Sequence, residues 1–196
     1  MLTFHHAKQT RSFAVLWLLE ELGIDYTLER VDLRNAPEDY RRIQPHKKVP
    51  AIVHDGVAIT ERAAITIYLC DAFPQAGLAP PVGDPRRGPY LSWLVFNDAV
   101  FDPGVGATFM KWQYDPATIS FGRFEHTLDH LERTLAAQPY LTGEAFTGAD
   151  VQVGAMLWWT MDVFKAYPER PAFRAYCDRV TARDAFRRAG EKDAAL

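Results

Sequence analysis

Hydrophobic and polar positions follow two different spacings along this chain, and the spacing changes within residues 73–89. Before that stretch, short alternating segments typical of strands flank the apolar run Phe13–Leu22, which has the length and spacing of a helix. Gly23 follows this run and is a typical residue after a helix end. The elements predicted for this half are strand 2–5, the helix, strand 26–31, a short helix at 37–43, strands 51–54 and 57–59, and a helix at 61–72. This order is a βαβ unit followed by a ββα unit.

Residues 73–89 are rich in proline and glycine and interrupt both spacings. We therefore expect a domain boundary there, with a first domain at 1–78 and a second at 87–196. Beyond the boundary, apolar residues recur at helical spacing in segments 90–112, 121–136, 150–164 and 171–183. The second half is predicted to be an all-helical bundle.

Composition narrows the classes of protein that fit. The chain has 196 residues, is 48% hydrophobic and 24% charged, and carries a formal net charge of −3, which argues against nucleic acid as a partner. It has no apolar run long enough to span a bilayer and no signal-peptide layout, so we expect a cytoplasmic protein without a membrane partner. Cys70 and Cys177 have no metal-ligand spacing, and His5 and His6 face opposite sides of a strand, so no metal is expected. A strand-end or dimer-contact role is the expectation for the two histidines.

The segment around Val49 and Pro50 is a candidate peptide-binding edge. Proline adopts a cis peptide bond more readily than any other residue, and a cis bond here would leave the backbone of Val49 open to an extended peptide. The Asp55-Gly56 turn and the helix that begins near Glu61 follow, and a helix start attracts a carboxylate. The alternative is that Val-Pro merely begins a strand and Glu61 merely complements the helix dipole.

Four segments in this order resemble the cytosolic glutathione S-transferases of bacterial type, with a serine/threonine-like entrance to the first helix. The segments are Gln9-Thr10-Arg11-Ser12 before the first helix, Lys48-Val49-Pro50-Ala51-Ile52, Thr60-Glu61-Arg62-Ala63-Ala64-Ile65, and Phe146-Thr147-Gly148-Ala149-Asp150. The resemblance implies an α+β thioredoxin-like domain at 1–78 that binds glutathione. It further implies an all-α domain at 87–196 that contributes the hydrophobic substrate site, a homodimer and a role in detoxification.

The resemblance also implies a role for individual residues. Glutathione would be the co-substrate and a hydrophobic electrophile the second substrate. Val49 and Pro50 would hold the cysteinyl backbone, Glu61 the γ-glutamyl ammonium, and the backbone N–H of Arg62 the adjacent carboxylate. Lys48 would reach the glycyl carboxylate, for which His46 and Lys47 are alternatives beside the possibility that the loop is simply solvated.

The glutathione thiol needs activation, because an unperturbed thiol with a pKa near 8.5 is mostly protonated at neutral pH. Lowering that pKa by about two units takes roughly 2.7 kcal/mol, which one hydrogen bond to the thiolate at a helix start nearly supplies. Thr10 is the favoured donor, and Ser12 is the second catalytic candidate, although capping of the first helix explains Ser12 better. Gln9 and the backbone of Arg11 remain alternatives.

The sequence departs from the family pattern at the same segments. Arg62 replaces a serine that would bind the γ-glutamyl carboxylate, and its guanidinium faces either that carboxylate or a dimer partner. Lys47 replaces the usual glycine before the Val-Pro pair. These departures keep open a non-catalytic glutathione- or ligand-binding protein, a scaffold, and a glutathione-dependent isomerase or dehalogenase.

In the second half, Phe109 and Trp112 are the candidates for the hydrophobic substrate pocket. Aromatic and apolar residues later in the chain are predicted to pack inside the bundle; they are Trp158, Trp159, Met161 and Phe164. Thr147 and Asp150 are predicted to form a capping box at a helix start.

Overall fold

The computed structural model describes residues 1–196. Its strands and helices are β1 (Leu2–His6), α1 (Phe13–Leu22), β2 (Thr27–Arg30), β3 (Ala51–His54), β4 (Val57–Thr60), α2 (Arg62–Ala72), α3 (Arg87–Phe96), α4 (Asp102–Phe109), α5 (Phe124–Ala137), α6 (Gly148–Trp158), α7 (Pro171–Thr181) and α8 (Asp184–Ala194). Short 3₁₀ turns lie at Glu38–Arg42 and Pro74–Ala76. The predicted order of elements in the first half is the observed order.

The strands form one four-stranded sheet in the order β2-β1-β3-β4. β1 pairs with β2 in parallel and with β3 antiparallel, and β3 and β4 form an antiparallel hairpin. The hairpin turn has positive φ at both Asp55 (48°) and Gly56 (84°), as expected for an Asp-Gly turn.

The chain divides into two compact units, one containing Met1–Leu78 and Arg183–Leu196, the other Ala79–Ala182. The sequence predicts that all residues from 87 onward belong to the second domain. The segment Arg183–Leu196 instead belongs to the first unit. The reason is α8, which packs against α1 with the Phe186 ring 5.5 Å from the Phe13 ring and 5.0 Å from the Trp17 ring, between centroids. α1 is apolar except for Glu20 and Glu21 near its end and is almost entirely buried, so α8 covers a face that would otherwise meet water.

The second unit is helical, as predicted. Two of its long apolar segments are interrupted by single π-helical turns, at Asn97–Phe101 and at Trp159–Val163, and the first segment ends at Phe109 instead of residue 112. None of the helices is long and apolar enough to cross a membrane.

A capping box begins α6, as predicted. The backbone N–H and the hydroxyl of Thr147 donate to the Asp150 carboxylate at 2.9 Å each. The Leu141 N–H and the Tyr176 hydroxyl donate to its other oxygen, also at 2.9 Å. We call this group of four residues the Asp150 network. Burial raises the pKa of the Asp150 carboxyl, while its four hydrogen-bond donors act in the opposite direction.

Candidate functional site

The register of the sheet brings three candidate segments to one end of it. Ala51 at the start of β3 pairs with His5 near the end of β1 and with Thr60 at the end of β4. The segment before Ala51, the segment after β1 and the segment after β4 therefore leave the sheet at the same end. These are residues 47–50, 7–12 and 61–62, which contain every glutathione-binding and catalytic residue predicted from the sequence.

Val49 presents an open backbone at this end. The peptide bond between Val49 and Pro50 is cis, and the N–H and C=O of Val49 make no hydrogen bond within the chain. Its side chain is half-buried, and Pro50 is buried. An extended peptide laid along residue 49 would find one donor and one acceptor without a partner.

The loop before Val49 is shaped by a buried glutamine that the sequence did not single out. The side-chain carbonyl of Gln44 accepts from the N–H of His46 at 2.7 Å and from the N–H of Lys48 at 3.3 Å. The Tyr40 hydroxyl donates to the Lys48 carbonyl at 2.9 Å, and burial raises the pKa of Tyr40 to about 12, so it stays a donor. The Lys48 side chain is left exposed.

Lys47 is oriented differently from Lys48. Its ammonium donates to the Ala36 carbonyl at 3.0 Å and pairs with Glu38 at 2.5 Å, so it is held within its own loop. Its φ of 53° lies in the left-handed region, which explains why glycine suits this position. Of the three candidates for a glycyl carboxylate, Lys48 and His46 remain exposed and Lys47 is already paired.

Glu61 stands directly before α2 in a rarely populated conformation. Its φ is 67° and its ψ is 124°, and its side chain is exposed. Arg62 is the first residue of α2, and its side chain is largely buried at 7% exposure. A strained residue held at a helix start is a feature that clusters at ligand sites, because the surrounding structure must over-determine it.

Thr10 lies in the loop between β1 and α1 and is half-buried. Its hydroxyl donates to the Ala7 carbonyl at 2.7 Å, lies 2.7 Å from the Ser12 hydroxyl, and accepts from the Ser12 N–H at 3.3 Å. A hydroxyl has one proton, so a ligand sulfur would replace the Ala7 carbonyl as the acceptor.

Ser12 does not cap α1, which corrects the sequence expectation. It precedes the helix in a helical conformation and makes no side-chain capping hydrogen bond. Its hydroxyl instead lies 2.6 Å from Nδ1 of His6, and both side chains are fully buried. With 0% exposure, Ser12 does not reach solvent, and of the two hydroxyls only that of Thr10 is accessible.

The two adjacent histidines are both buried, in contrast with the dimer-contact role considered from the sequence. His6 also lies 2.9 Å, through Nε2, from the carboxylate of Asp193 in α8. His5 packs against the ring of Tyr40 at 5.3 Å between centroids, and burial lowers the pKa of His5.

Gln9 and Arg11 flank Thr10 and are exposed. The backbone N–H of Gln9 donates to the Asp193 carboxylate at 3.2 Å, and Gln9 adopts a φ of 55°. Positive φ at a residue other than glycine is uncommon, yet Gln9, Lys47 and Glu61 all have it at this end of the sheet. Three of the six residues other than glycine that have positive φ therefore lie among the candidate ligand contacts.

The two aromatic pocket candidates are on the surface of the helical unit. Phe109 is 60% exposed and Trp112 is 58% exposed. The Phe109 ring lies 5.8 Å from that of Phe164, which in turn lies 4.6 Å from that of Trp159. Phe164 is 43% exposed, so the expectation that it packs inside the bundle is wrong, whereas Met161 is buried as expected.

Comparison with known proteins finds the same family at both ends of the chain. Residues 1–71 match the glutathione S-transferase N-terminal domain and residues 113–179 match the glutathione S-transferase C-terminal domain. Glutathione S-transferase 3 of Schizosaccharomyces pombe is 30% identical over 174 residues, which are 78% of this chain and 72% of that protein.

Solved structures agree with the sequence comparison. A glutathione transferase from Methylococcus capsulatus has a TM-score of 0.83 and 29% identity over 100% of both chains. A sphingomonad glutathione S-transferase in complex with glutathione has a TM-score of 0.82 and 30% identity, covering 99% of this chain and 100% of that one. The four-stranded sheet with its helices is the thioredoxin-like domain of this fold, and the helical unit is its partner domain. The chain belongs to the glutathione S-transferase family of enzymes.

Proposed function

We propose that this protein binds glutathione at the end of the sheet where Val49, Thr10 and Glu61 meet, and transfers it as the thiolate to a hydrophobic electrophile. The observation that carries the proposal is the pairing of Ala51 with both His5 and Thr60, which gathers the three segments. The unpaired backbone of Val49 is the counterpart of the cysteinyl backbone of the tripeptide.

The charges at this end suit the rest of glutathione. The exposed carboxylate of Glu61 is suited to the γ-glutamyl ammonium, and the start of α2 at Arg62 is suited to the adjacent carboxylate. The exposed ammonium of Lys48 is suited to the glycyl carboxylate. Gln9, Arg11 and Pro50 lie in the same segments at this end of the sheet, and Ser12 acts behind Thr10 instead of touching the ligand.

Thr10 keeps its proton and donates it as a hydrogen bond to the glutathione sulfur. A hydrogen bond to a charged acceptor contributes about 1.5–3 kcal/mol, which lowers a thiol pKa by roughly one to two units. The thiol releases its proton to solvent, the thiolate attacks the electrophile with its electron pair, and the leaving group departs with the electron pair of its broken bond. Phe109 and Trp112 offer exposed aromatic surface to the apolar part of that second substrate.

The test is conjugation of a chlorinated nitroaromatic by the wild type, Thr10→Val and Thr10→Ser. Thr10→Val retains the shape but loses the hydroxyl, so we expect kcat/KM to fall about 10- to 100-fold, with Thr10→Ser close to wild type. Tight glutathione binding without turnover in any of the three proteins would contradict the transferase proposal and favour a binding protein. No heat of binding with glutathione would contradict both and favour a scaffold.

Assembly as a homodimer is part of this proposal and has its own test. Sedimentation equilibrium should give twice the chain mass of 22.2 kDa. The Arg62 guanidinium was predicted to face either the γ-glutamyl carboxylate or a dimer partner. A monomer at all concentrations would exclude the dimer partner.

A further inference from the structure

A continuous run of short polar contacts connects α8 to the loop that contains Thr10. From the Asp193 carboxylate it passes to His6 Nε2 at 2.9 Å, from His6 Nδ1 to the Ser12 hydroxyl at 2.6 Å, from Ser12 to the Thr10 hydroxyl at 2.7 Å, and from Thr10 to the Ala7 carbonyl at 2.7 Å. We call the first four of these residues the His6 network. Three of its side chains are buried, and the fourth, Thr10, is half-buried.

Counting protons fixes the direction of these hydrogen bonds. The Asp193 carboxylate and the Ala7 carbonyl are acceptors only, so the run needs a proton in each of its four contacts. Ser12 and Thr10 supply one proton each, and a neutral imidazole supplies one more. A neutral His6 therefore leaves one short contact without a proton, whereas an imidazolium supplies two and fills all four. The Nε2–H of His6 then donates to Asp193, while the Nδ1–H donates to Ser12, Ser12 donates to Thr10, and Thr10 donates to the Ala7 carbonyl.

The surroundings of His6 suit a charged ring. Asp193 lies against Nε2, with its side chain 13% exposed, and also accepts from the Gln9 N–H. The Ser12 hydroxyl remains as acceptor for Nδ1–H, and its contacts to the N–H and C=O of Ala7 are longer, at 3.4 Å each. A buried ion pair of this kind needs further hydrogen bonds to each partner to offset desolvation, and both partners have them.

We propose that His6, held as an imidazolium by Asp193, acts through Ser12 as a positioning residue that makes Thr10 a stronger hydrogen-bond donor to the glutathione sulfur. This inference rests on the proposed function and deepens it. Hydrogen bonds in a run polarise one another, and a charged donor at its origin strengthens the last member. Thr10 needs only to turn its proton from the Ala7 carbonyl to the sulfur, with no change in the other contacts.

The first test is the ¹⁵N NMR spectrum of the histidine rings in the ligand-free protein at neutral pH, with His6 assigned from His6→Gln. We expect both ring nitrogens of His6 to be protonated in the wild type and only one in Asp193→Asn. The matched control is Asp184→Asn, which removes the same charge from an exposed position on the same helix and should leave the His6 signals unchanged. A singly protonated His6 in the wild type would overturn the proposal.

The second test is a pH titration of the thiolate ultraviolet absorbance with glutathione at saturation. Asp193→Asn and Ser12→Ala should each raise the midpoint by about one unit and lower kcat about tenfold, with KM for glutathione within about twofold of wild type. Asp184→Asn should titrate as the wild type does. A merely structural role of the network would change the amount of folded protein or KM and leave the midpoint in place.

The two tests separate the possible failures. A wild type that binds glutathione but shows no thiolate would overturn the proposed function and, with it, the role given to the His6 network. A normal thiolate that folded Ser12→Ala leaves unmoved would overturn the network alone. If Ser12→Ala does not fold, Ser12→Cys, which keeps the position but weakens the hydrogen bonds, decides the same question by the same midpoint.

Discussion

Two hydrogen-bond networks lie at helix starts in this protein, the Asp150 network and the His6 network. They differ in the acceptors of their hydroxyl groups. In the Asp150 network, the hydroxyls of Thr147 and Tyr176 both end on the carboxylate, and all the groups are buried. In the His6 network, the run ends at Thr10, which is half-buried and has only a backbone carbonyl beyond it. A network closed on its own carboxylate has a structural task, whereas one that ends at an accessible hydroxyl retains a donor for a ligand.

The largest effect that this comparison predicts is the loss of stability when the Asp150 carboxylate is removed. Asp150→Ala leaves four donors without an acceptor in the interior, and each such donor costs about 1–3 kcal/mol. We expect the free energy of unfolding to fall by at least about 3 kcal/mol, measured by urea denaturation. Asp193→Ala should lose clearly less, because its side chain keeps 13% exposure and the His6 ring that is left behind becomes neutral on losing its counter-charge. Equal losses in the two variants would remove the distinction between the networks.

Two nearly isosteric substitutions, one in each network, test the same comparison with smaller losses of stability. Tyr176→Phe removes a hydroxyl from the closed network and should lower the free energy of unfolding by about 1–1.5 kcal/mol, with glutathione affinity unchanged. Thr10→Val removes a hydroxyl from the His6 network. It should lower the free energy of unfolding by less than about 1 kcal/mol, while the thiolate absorbance is lost. The measurements are urea unfolding and glutathione titration of the same four samples: wild type, both single variants and the double variant. A stability loss larger in Thr10→Val than in Tyr176→Phe would contradict the assignment.

Acid should loosen the packing of α8 on α1 through the titration of Glu20. Burial by itself would raise the pKa of Glu20 in α1, but hydrogen bonds from Lys192, Tyr26 and Arg188 lower it below its ordinary value. Because the folded-state pKa is lowered, the stability contributed by Glu20 is present above the unfolded value of 4.5 and is lost as pH falls through the folded value.

The measurement is the free energy of unfolding between neutral pH and the acid limb, for the wild type and Glu20→Gln. Glu20→Gln should be less stable than the wild type at neutral pH, and the gap should narrow as the pH falls below 4.5. Glu29→Gln, at an exposed strand position, is the control. A gap that stays constant with pH would show that Glu20 is not charged when it stabilises α8.

The first unit was predictable from local sequence signals, and α8 was not. The apolar run of α1 and its terminal glycine identify that helix directly, and Gly23 does adopt the left-handed conformation with φ 63°. α8 contains few large apolar residues, and Phe186 is the main one that packs on α1. The buried face of α8 consists of small or charged residues such as Ala185 and Ala189, which do not indicate what the helix packs against. Its partner lies about 160 residues away in the chain, as the pair Arg183 and Glu21 shows with a separation of 162.

The candidate site divides in the same way. The proposed ligand contacts Thr10, Val49 and Glu61 come from short motifs that occur in order along the chain. The residues behind them do not, because His6 and Asp193 are 187 positions apart and neither has an unusual neighbour in sequence. The prediction for Ser12 was wrong for a related reason, because a serine before a helix is a typical cap. Only the structure shows that the Ser12 hydroxyl contacts the buried His6 ring instead. The sequence indicated only a strand-end or dimer-contact role for His6, because its partners Ser12 and Asp193 become visible only in the structure.

The smallest predicted effect concerns backbone strain at Lys47, which lies at the same end of the sheet as the His6 network. Lys47 has a φ of 53°, which costs a residue other than glycine about 1–2 kcal/mol, and solvent screens its ion pair with the exposed Glu38, which therefore contributes little. Lys47→Gly relieves the strain and loses the pair, while the greater freedom of glycine in the unfolded chain removes about 0.4–1 kcal/mol. These contributions nearly cancel, so the free energy of unfolding should change by less than about 1 kcal/mol. Glu38→Gln removes the ion pairs of Glu38 with Lys47 and Arg41 and leaves the backbone of residue 47 unchanged, so it sets an upper limit on the contribution of the Lys47 pair. Because Lys47 already has its partners in the loop, Lys47→Gly should leave KM for glutathione within about twofold, whereas Lys48→Ala should raise it about threefold to tenfold. The reverse order of the two lysines would place Lys47 at the glycyl carboxylate and require its ammonium to leave Glu38 when glutathione binds.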